Sequence, residues 1–239
     1  MEVTRSWSRA AASLLLAFTH GNLLSQGSWT QTPTSGGPAA VSVHAAAYDL
    51  MRLRLVVFGG FNGIYQPLAE TWEFDGRDWH AIATATAPPP RASHAMAYDY
   101  ARGKVVMFAG TTSIFGTGPM QDTWEYDGST WTQCTPQHSP SPRYDHAMSF
   151  DLATGQVVMF GGRSGLSWTI GDTWLWNGVD WVQAATTGPT PRHSHAMCYD
   201  MIRMRTVLFG GSAIIQERDT WEWDGTSWSL ASTTGPTGR

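Results

Sequence analysis

The sequence predicts an all-β fold: four copies of one four-stranded antiparallel sheet set radially about a common axis, with one extra strand ahead of the first copy. Three observations lead there. A histidine recurs as His44, His94, His146 and His195, at steps of 50, 52 and 49 residues. Two tryptophans recur with it: Trp72, Trp124, Trp174 and Trp221 before an Asp-Gly or Asn-Gly pair, and Trp29, Trp79, Trp131, Trp181 and Trp228 in the slot after it. Self-similarity at a period of about 50 marks a repeat architecture in which each copy is one supersecondary unit. The 25 Gly and 13 Trp suit many short strands joined by tight turns, and no amphipathic helical pattern occurs beyond the first two dozen residues. At 239 residues with 42% apolar content, such a chain buries a large core without dividing into two domains.

Taken in order, the chain begins with Arg5 and Arg9, then the apolar run Ala10 to Phe18, then small and polar residues. This is the layout of a secretory signal peptide, too short to hold a mature protein across a membrane. Residues 1–26 are assigned to that leader, with cleavage between Thr19 and Gly27, and residues 27–239 to the folded domain. Trp29-Thr30-Gln31-Thr32-Pro33 then reads as the fourth strand of a unit whose first three strands are missing. Four full repeats follow, at about 41–85, 91–137, 143–187 and 192–234.

The second repeat shows why each stretch is a strand. His94, Met96 and Tyr98 alternate with Ala95 and Ala97, giving strand one a bulky face and a small face, as suits sheets crowded near an axis. Val105 to Phe108 is continuously apolar, so strand two is core on both faces. Ala109-Gly110 ends it, as Gly59-Gly60, Gly161-Gly162 and Gly210-Gly211 do elsewhere, where the chain must turn with positive φ. Strand three, Thr123 to Tyr126, runs into Asp127-Gly128, a hairpin signal repeated as Asp75-Gly76, Asn177-Gly178 and Asp224-Gly225. Strand four starts at Trp131. Glu73, Glu125 and Glu222 share one strand-three slot with Leu175, and are read as exposed positions, not as paired catalytic carboxylates.

From Trp29 to the C-terminus these linked positions resemble the kelch repeat, whose four-stranded units are the blades of a β-propeller. The resemblance implies a kelch-type β-propeller. Four full blades and a surplus strand then imply an open arc or part of a six- or seven-bladed propeller, with a closed four-bladed ring third, because four blades is the lower limit of closure. Copper-radical oxidases such as galactose oxidase are built on similar propellers, and their site needs a Cys-crosslinked Tyr, a second Tyr and two His. Tyr48, Tyr98 and Tyr199 share one framework slot with Phe150 here and supply no convincing match.

Spacing separates framework from candidate site. From the strand-one histidine to the last glycine is 16 positions in every repeat, and from the acidic residue opening strand three (Glu70, Asp122, Asp172, Asp219) to the second tryptophan is 9. Between that glycine and that acidic residue lie 9, 11, 9 and 7 residues. The variation falls in one loop, between strands two and three, which opens on the same face as the connection leading into strand one. Insertions confined to one face often mark the binding face of a repeat protein. Candidate ligand contacts are therefore Tyr65, Phe115 and Trp168 in these loops, with Tyr144 and the donors Arg143 and Arg163. Trp168 is the mature tryptophan without a framework role, and Arg143 also fills a recurring slot with Arg91 and Arg192, replaced by Val41 in the first repeat. His138, Asp145 and His193 differ from repeat to repeat in the same connections and join as secondary candidates. The four histidines could ring an axis as metal ligands. Their equal register beside an arginine reads instead as a blade-to-blade hydrogen-bond device, so no metal or cofactor is expected.

A formal charge of −4 without a basic stripe argues against nucleic acid as a partner. Cys134 and Cys198 are too few for a disulfide framework and neither lies in a CxxC pair; Cys198 stands where Ala47, Ala97 and Ser149 do, as a small strand residue. No nucleophile elbow, zincin, Walker or dinucleotide-binding sequence occurs. The expected function is a non-catalytic scaffold, secreted or periplasmic and at the cell surface, that binds a protein or a glycan through the loop face. The alternative is the kelch portion of a carbohydrate-active, oxidase-like enzyme whose catalytic residues are not in this chain, and a third reading is a purely structural cell-surface propeller.

Overall fold

The computed structural model describes residues 30–31, 33–34, 36–165, 168–213 and 215–236. The leader and Trp29, at which the extra strand is expected to start, lie outside the described residues. Blade 1 contains β1 (Ala45–Asp49), β2 (Arg54–Phe58), β3 (Thr71–Phe74) and β4 (Trp79–Ile82). Blade 2 contains β5 (Ala95–Asp99), β6 (Lys104–Phe108), β7 (Thr123–Tyr126) and β8 (Trp131–Cys134). Blade 3 contains β9 (Ala147–Asp151), β10 (Gln156–Phe160), β11 (Thr173–Trp176) and β12 (Trp181–Ala185), and blade 4 contains β13 (Ala196–Asp200), β14 (Arg205–Phe209), β15 (Thr220–Trp223) and β16 (Trp228–Ser232). Each blade is one antiparallel sheet in chain order, and the four form a β-propeller. Among the described residues no helix is long and apolar enough to cross a membrane.

Register follows the side-chain pattern. In blade 2, β5 pairs with β6 from Ala95 opposite Phe108 to Asp99 opposite Lys104, and the other three blades repeat the alignment. Because successive strand residues face opposite sides, Met96 and Tyr98 enter a core shared with blade 1, while Ala95 and Ala97 enter one shared with blade 3. The continuously apolar β6 and β10 are buried almost throughout. The hairpin between strands three and four is longer than a two-residue turn. Its four residues are held by the first side chain: Asp75 accepts from the N–H groups of Arg77 and Asp78 at 2.8 and 2.9 Å, and Asp127, Asn177 and Asp224 do the same. The aspartate thus selects an Asx-type loop over the tight turn that Asp-Gly alone suggests.

First strands crowd around the axis, β1 against β5, β5 against β9 and β9 against β13. The residue before each histidine, Val43, Ser93, Asp145 and Ser194, sits at φ of 49°, 54°, 56° and 55°, a region most L-residues avoid. That conformation turns its backbone toward its neighbours: Ser93 N–H donates to Val43 C=O at 2.8 Å, Asp145 to Ser93 at 2.9 Å and Ser194 to Asp145 at 2.9 Å. Three apolar clusters result, one between each consecutive pair of blades. The outward face of blade 1 and that of blade 4 have no matching cluster among the described residues.

Glu73 and Glu125, expected to be exposed, are buried between blades. Glu73 accepts from Arg52 at 2.7 Å in its own blade and from the Tyr126 hydroxyl of the next at 3.0 Å. Glu125 accepts from Lys104, from Arg102 and, across the joint, from Trp176 Nε1. Burial pushes the Glu125 carboxyl up, but the bonds from Lys104 and Arg102 outweigh it and hold the group below its ordinary range. Alternation along one strand does not reveal the neighbouring blade that covers its second face.

Candidate functional site

Each loop between strands two and three folds back over its own exit. Its first residue bridges the segment leading into the same blade: Phe61 with Ser42, Thr111 with Ala92, Arg163 with Tyr144 and Ser212 with His193. Near its far end an N–H returns to the second glycine, Leu68 to Gly60, Met120 to Gly110, Ile170 to Gly162 and Glu217 to Gly211. A Cβ on that glycine would press to within 2.8 or 2.9 Å of a lead-in carbonyl in every blade, so only glycine fits, whereas Ala109 takes the first position at φ 56°. Loops and lead-in segments therefore share one face. With both ends of each loop pinned, differences in length are taken up at the tips.

The tips are aromatic and exposed. Tyr65, Phe115 and Trp168 have 65%, 67% and 74% of their surface in water. Trp168 does not fold back onto its loop, and its ring is left facing solvent while its backbone carbonyl accepts from Ser164 N–H at 3.1 Å. Ile64 and Ile114 widen the apolar character of the first two tips, and Ile215 is exposed on the blade 4 loop.

Tyr144 is the floor between two of these loops. It is buried, its hydroxyl donates to Gly165 C=O at 3.0 Å, and the Arg163 guanidinium lies 5.6 Å from its ring centroid, a cation–π distance. From the other side Gly116 comes so close that any side chain there would run into the Tyr144 ring and hydroxyl. Tyr144 thus ties the Phe115 loop of blade 2 to the Trp168 loop of blade 3. Asp145 and His193 complete the surroundings. Burial pushes the Asp145 carboxyl up, against a Ser93 hydrogen bond and the charges of His193 and Arg163. Burial and the Arg163 charge hold the His193 imidazole down.

The six candidate contacts divide by position. Tyr144 and Arg163 touch, Phe115 and Trp168 belong to the loops that meet over Tyr144, and Tyr65 stands on the blade 1 loop. Arg143 is fully buried; it donates to Gly161 C=O at 3.0 Å and to Asp172 at 2.6 and 3.1 Å, so its guanidinium is sequestered in the framework. Arg91 and Arg192 hold Asp122 and Asp219 in the same way. The link between this arginine and the acidic residue opening strand three was open to sequence reasoning, since the one repeat with Val41 in place of the arginine also has Glu70 in place of the aspartate. His138 is engaged by Asp180 at 2.7 Å, away from Tyr144. Among the described residues no three His, Cys, Asp or Glu side chains converge as a metal site requires. The histidines pack edge-on against phenylalanines of the preceding blade, His94 on Phe58, His146 on Phe108 and His195 on Phe160.

No curated protein matches the chain. The family model described as the KLHDC2/KLHL20/DRC7 Kelch-repeats domain matches residues 17–211. With that match spanning most of the sequence, and with four blades that repeat one set of histidine, glycine and tryptophan contacts, the chain belongs to the kelch-repeat family.

Proposed function

We propose that this protein is a non-catalytic interaction scaffold that engages a protein partner through the face bearing the loops between strands two and three. Kelch propellers in general suggest protein interaction, and the observation that carries the choice of face is the set of exposed aromatic tips, Tyr65, Phe115 and Trp168, on loops pinned at both ends. Rigid exposed aromatics lose little conformational freedom on binding and act as anchors. The Tyr144–Arg163 stack beneath them adds a cation that a partner's carboxylate or carbonyl can meet. A glycan would use the same aromatic surface, and export from the cytoplasm follows from the leader-like N-terminus; both belong to this proposal.

The test is capture of partners by the immobilised protein, from cell-surface extract and from a glycan array, comparing wild type with Trp168→Ala. Capture should fall roughly five- to thirtyfold, the range of an anchor contributing about 1–2 kcal/mol, while the melting temperature stays within about a degree, as for a surface substitution. Equal capture by both proteins overturns the assigned face. Stoichiometric copper or zinc in the purified chain would instead favour the enzymatic alternative.

A further inference from the structure

Two kinds of contact recur in two of the three joints between blades, and two more in all three. In each, the fourth-strand tryptophan of the later blade donates its indole N–H to the third-strand threonine of the earlier one: Trp131 to Thr71 at 2.9 Å, Trp181 to Thr123 at 2.9 Å and Trp228 to Thr173 at 2.8 Å. The phenylalanine ending the earlier blade's second strand packs against that tryptophan and against the later blade's histidine. An arginine in the earlier blade's first turn lies over the aromatic ring that ends the later blade's third strand, Arg52 over Tyr126 and Arg102 over Trp176. A first-strand tyrosine of the later blade lies near the aspartate ending the earlier blade's first strand, Tyr98 near Asp49 and Tyr199 near Asp151.

Both halves of a further joint stand on the two faces that no other blade covers among the described residues. Blade 4 carries Thr220, Phe209, Arg203 and Asp200 in the earlier-blade slots, and blade 1 carries Trp79, His44, Phe74 and Tyr48 in the later-blade slots. Their exposure differs from that of their counterparts in the way a missing neighbour requires. Tyr48 is 38% exposed where Tyr98 is 5%, Phe209 is half-buried where Phe58, Phe108 and Phe160 are wholly buried, and Ala196 and Cys198 are exposed where Ala95 and Ala97 are buried. The first turns of these same two blades are the apolar ones, with Met51, Leu53, Ile202 and Met204 all exposed. Leu53 and Met204 hold φ of 53° where blades 2 and 3 place Gly103 and Gly155. Keeping a bulky apolar side chain in that strained region is unfavourable, a pattern found at surfaces that are used.

We propose that a second copy of this chain covers both faces, blade 4 of each copy packing against blade 1 of the other, so that two four-bladed arcs close into one ring. The occupant is a copy of this chain because each uncovered face matches the other slot by slot, and the joint it would make continues the three already present. A twofold pair forms the joint twice and leaves neither half exposed, and eight blades fall within the range of closed propellers. In the assembled ring Trp79 donates to Thr220, Tyr48 meets Asp200, and Arg203 lies over Phe74.

Light scattering on the purified full chain tests this, with a mass twice that of one chain expected. Ala196→Arg places a cation on the exposed face of blade 4, and Tyr48→Arg does so on blade 1. Each variant alone should run at single-chain mass with an unchanged circular dichroism spectrum, and mixing the two should restore association through the one intact joint. An independent readout needs no folded variant: alkylation of Cys198 in the wild type should slow roughly tenfold between dilute and concentrated protein as the face becomes covered. Wild type at single-chain mass up to its solubility limit overturns the proposal. So does association that survives Tyr48→Arg, which would mean blade 4 meeting blade 4, and so does a mass that climbs without stopping at the pair.

Discussion

His94 and His146 are imidazoles buried in blade joints, edge-on to phenylalanine rings, and both are held well below the ordinary histidine range, first by desolvation and then by the charges of Arg91 or Arg143 and of neighbouring histidines. The sign of the pH effect follows. An unfolded chain takes up these protons near pH 6.5 and the folded chain does not, so the unfolded state binds more protons as pH falls through that value. Stability is therefore complete above about pH 6.5 and is lost below it, by up to about 1.4 kcal/mol per pH unit for each histidine. Urea midpoints measured from pH 7.5 to 5.5 should fall, and the slope should flatten in a His94→Leu/His146→Leu double variant; a wild-type midpoint constant across that range would show the rings accept protons in place. Recurrence in the sequence was enough to assign these residues to a framework slot. Their neutrality was not legible, because it arises first from burial between two blades, where Phe58 and Phe108 of the preceding repeat pack edge-on to the rings.

The joint is the element in which repeat logic can be tested. Glu73 and Glu125 each pair with a first-turn arginine of their own blade and accept a hydrogen bond from an aromatic of the next. Blade 3 has Leu175 for the glutamate and Thr154 for the arginine, and Trp223 Nε1 is left buried without an acceptor among the described residues. The two residues change together because a buried carboxylate without its cation is costly. Leu175→Glu alone should destabilise by about 3 kcal/mol or more, whereas adding Thr154→Arg should recover about 1–3 kcal/mol through coupling of the pair and give Trp223 its acceptor. Additive effects of the two substitutions in urea unfolding would show that blade 3 does not share the joint of blades 1 and 2. The loops show the complementary limit of sequence reading. Their lengths and aromatic tips were visible from residue counts alone, but residue counts do not specify that Arg143 is withdrawn onto Asp172 while Arg163 lies over Tyr144.

At the scale of the whole molecule, the main contacts between blades among the described residues join sequence neighbours, so stability is a sum of blade and joint terms. Blades 2 and 3 each have two joints among the described residues and blades 1 and 4 each have one. The number of blades could be read from the repeats, yet which faces stay uncovered could not: the same slots are filled whether or not a neighbour is present, and only the exposure of Tyr48, Phe209, Ala196 and Cys198 reveals its absence. A graded pattern of hydrogen exchange follows. In dilute protein the amides of β6 and β10 should exchange slowest and those of β1 and β13 faster by roughly a hundredfold, equivalent to the loss of about 3 kcal/mol of joint. Raising the concentration should leave β6 and β10 unchanged and slow β1 and β13 together, because one contact between copies covers both terminal faces at once. Equal protection across all four first strands in dilute protein would contradict the nearest-neighbour account. Slowing of β13 without β1 would separate that account, left standing, from closure by a second copy.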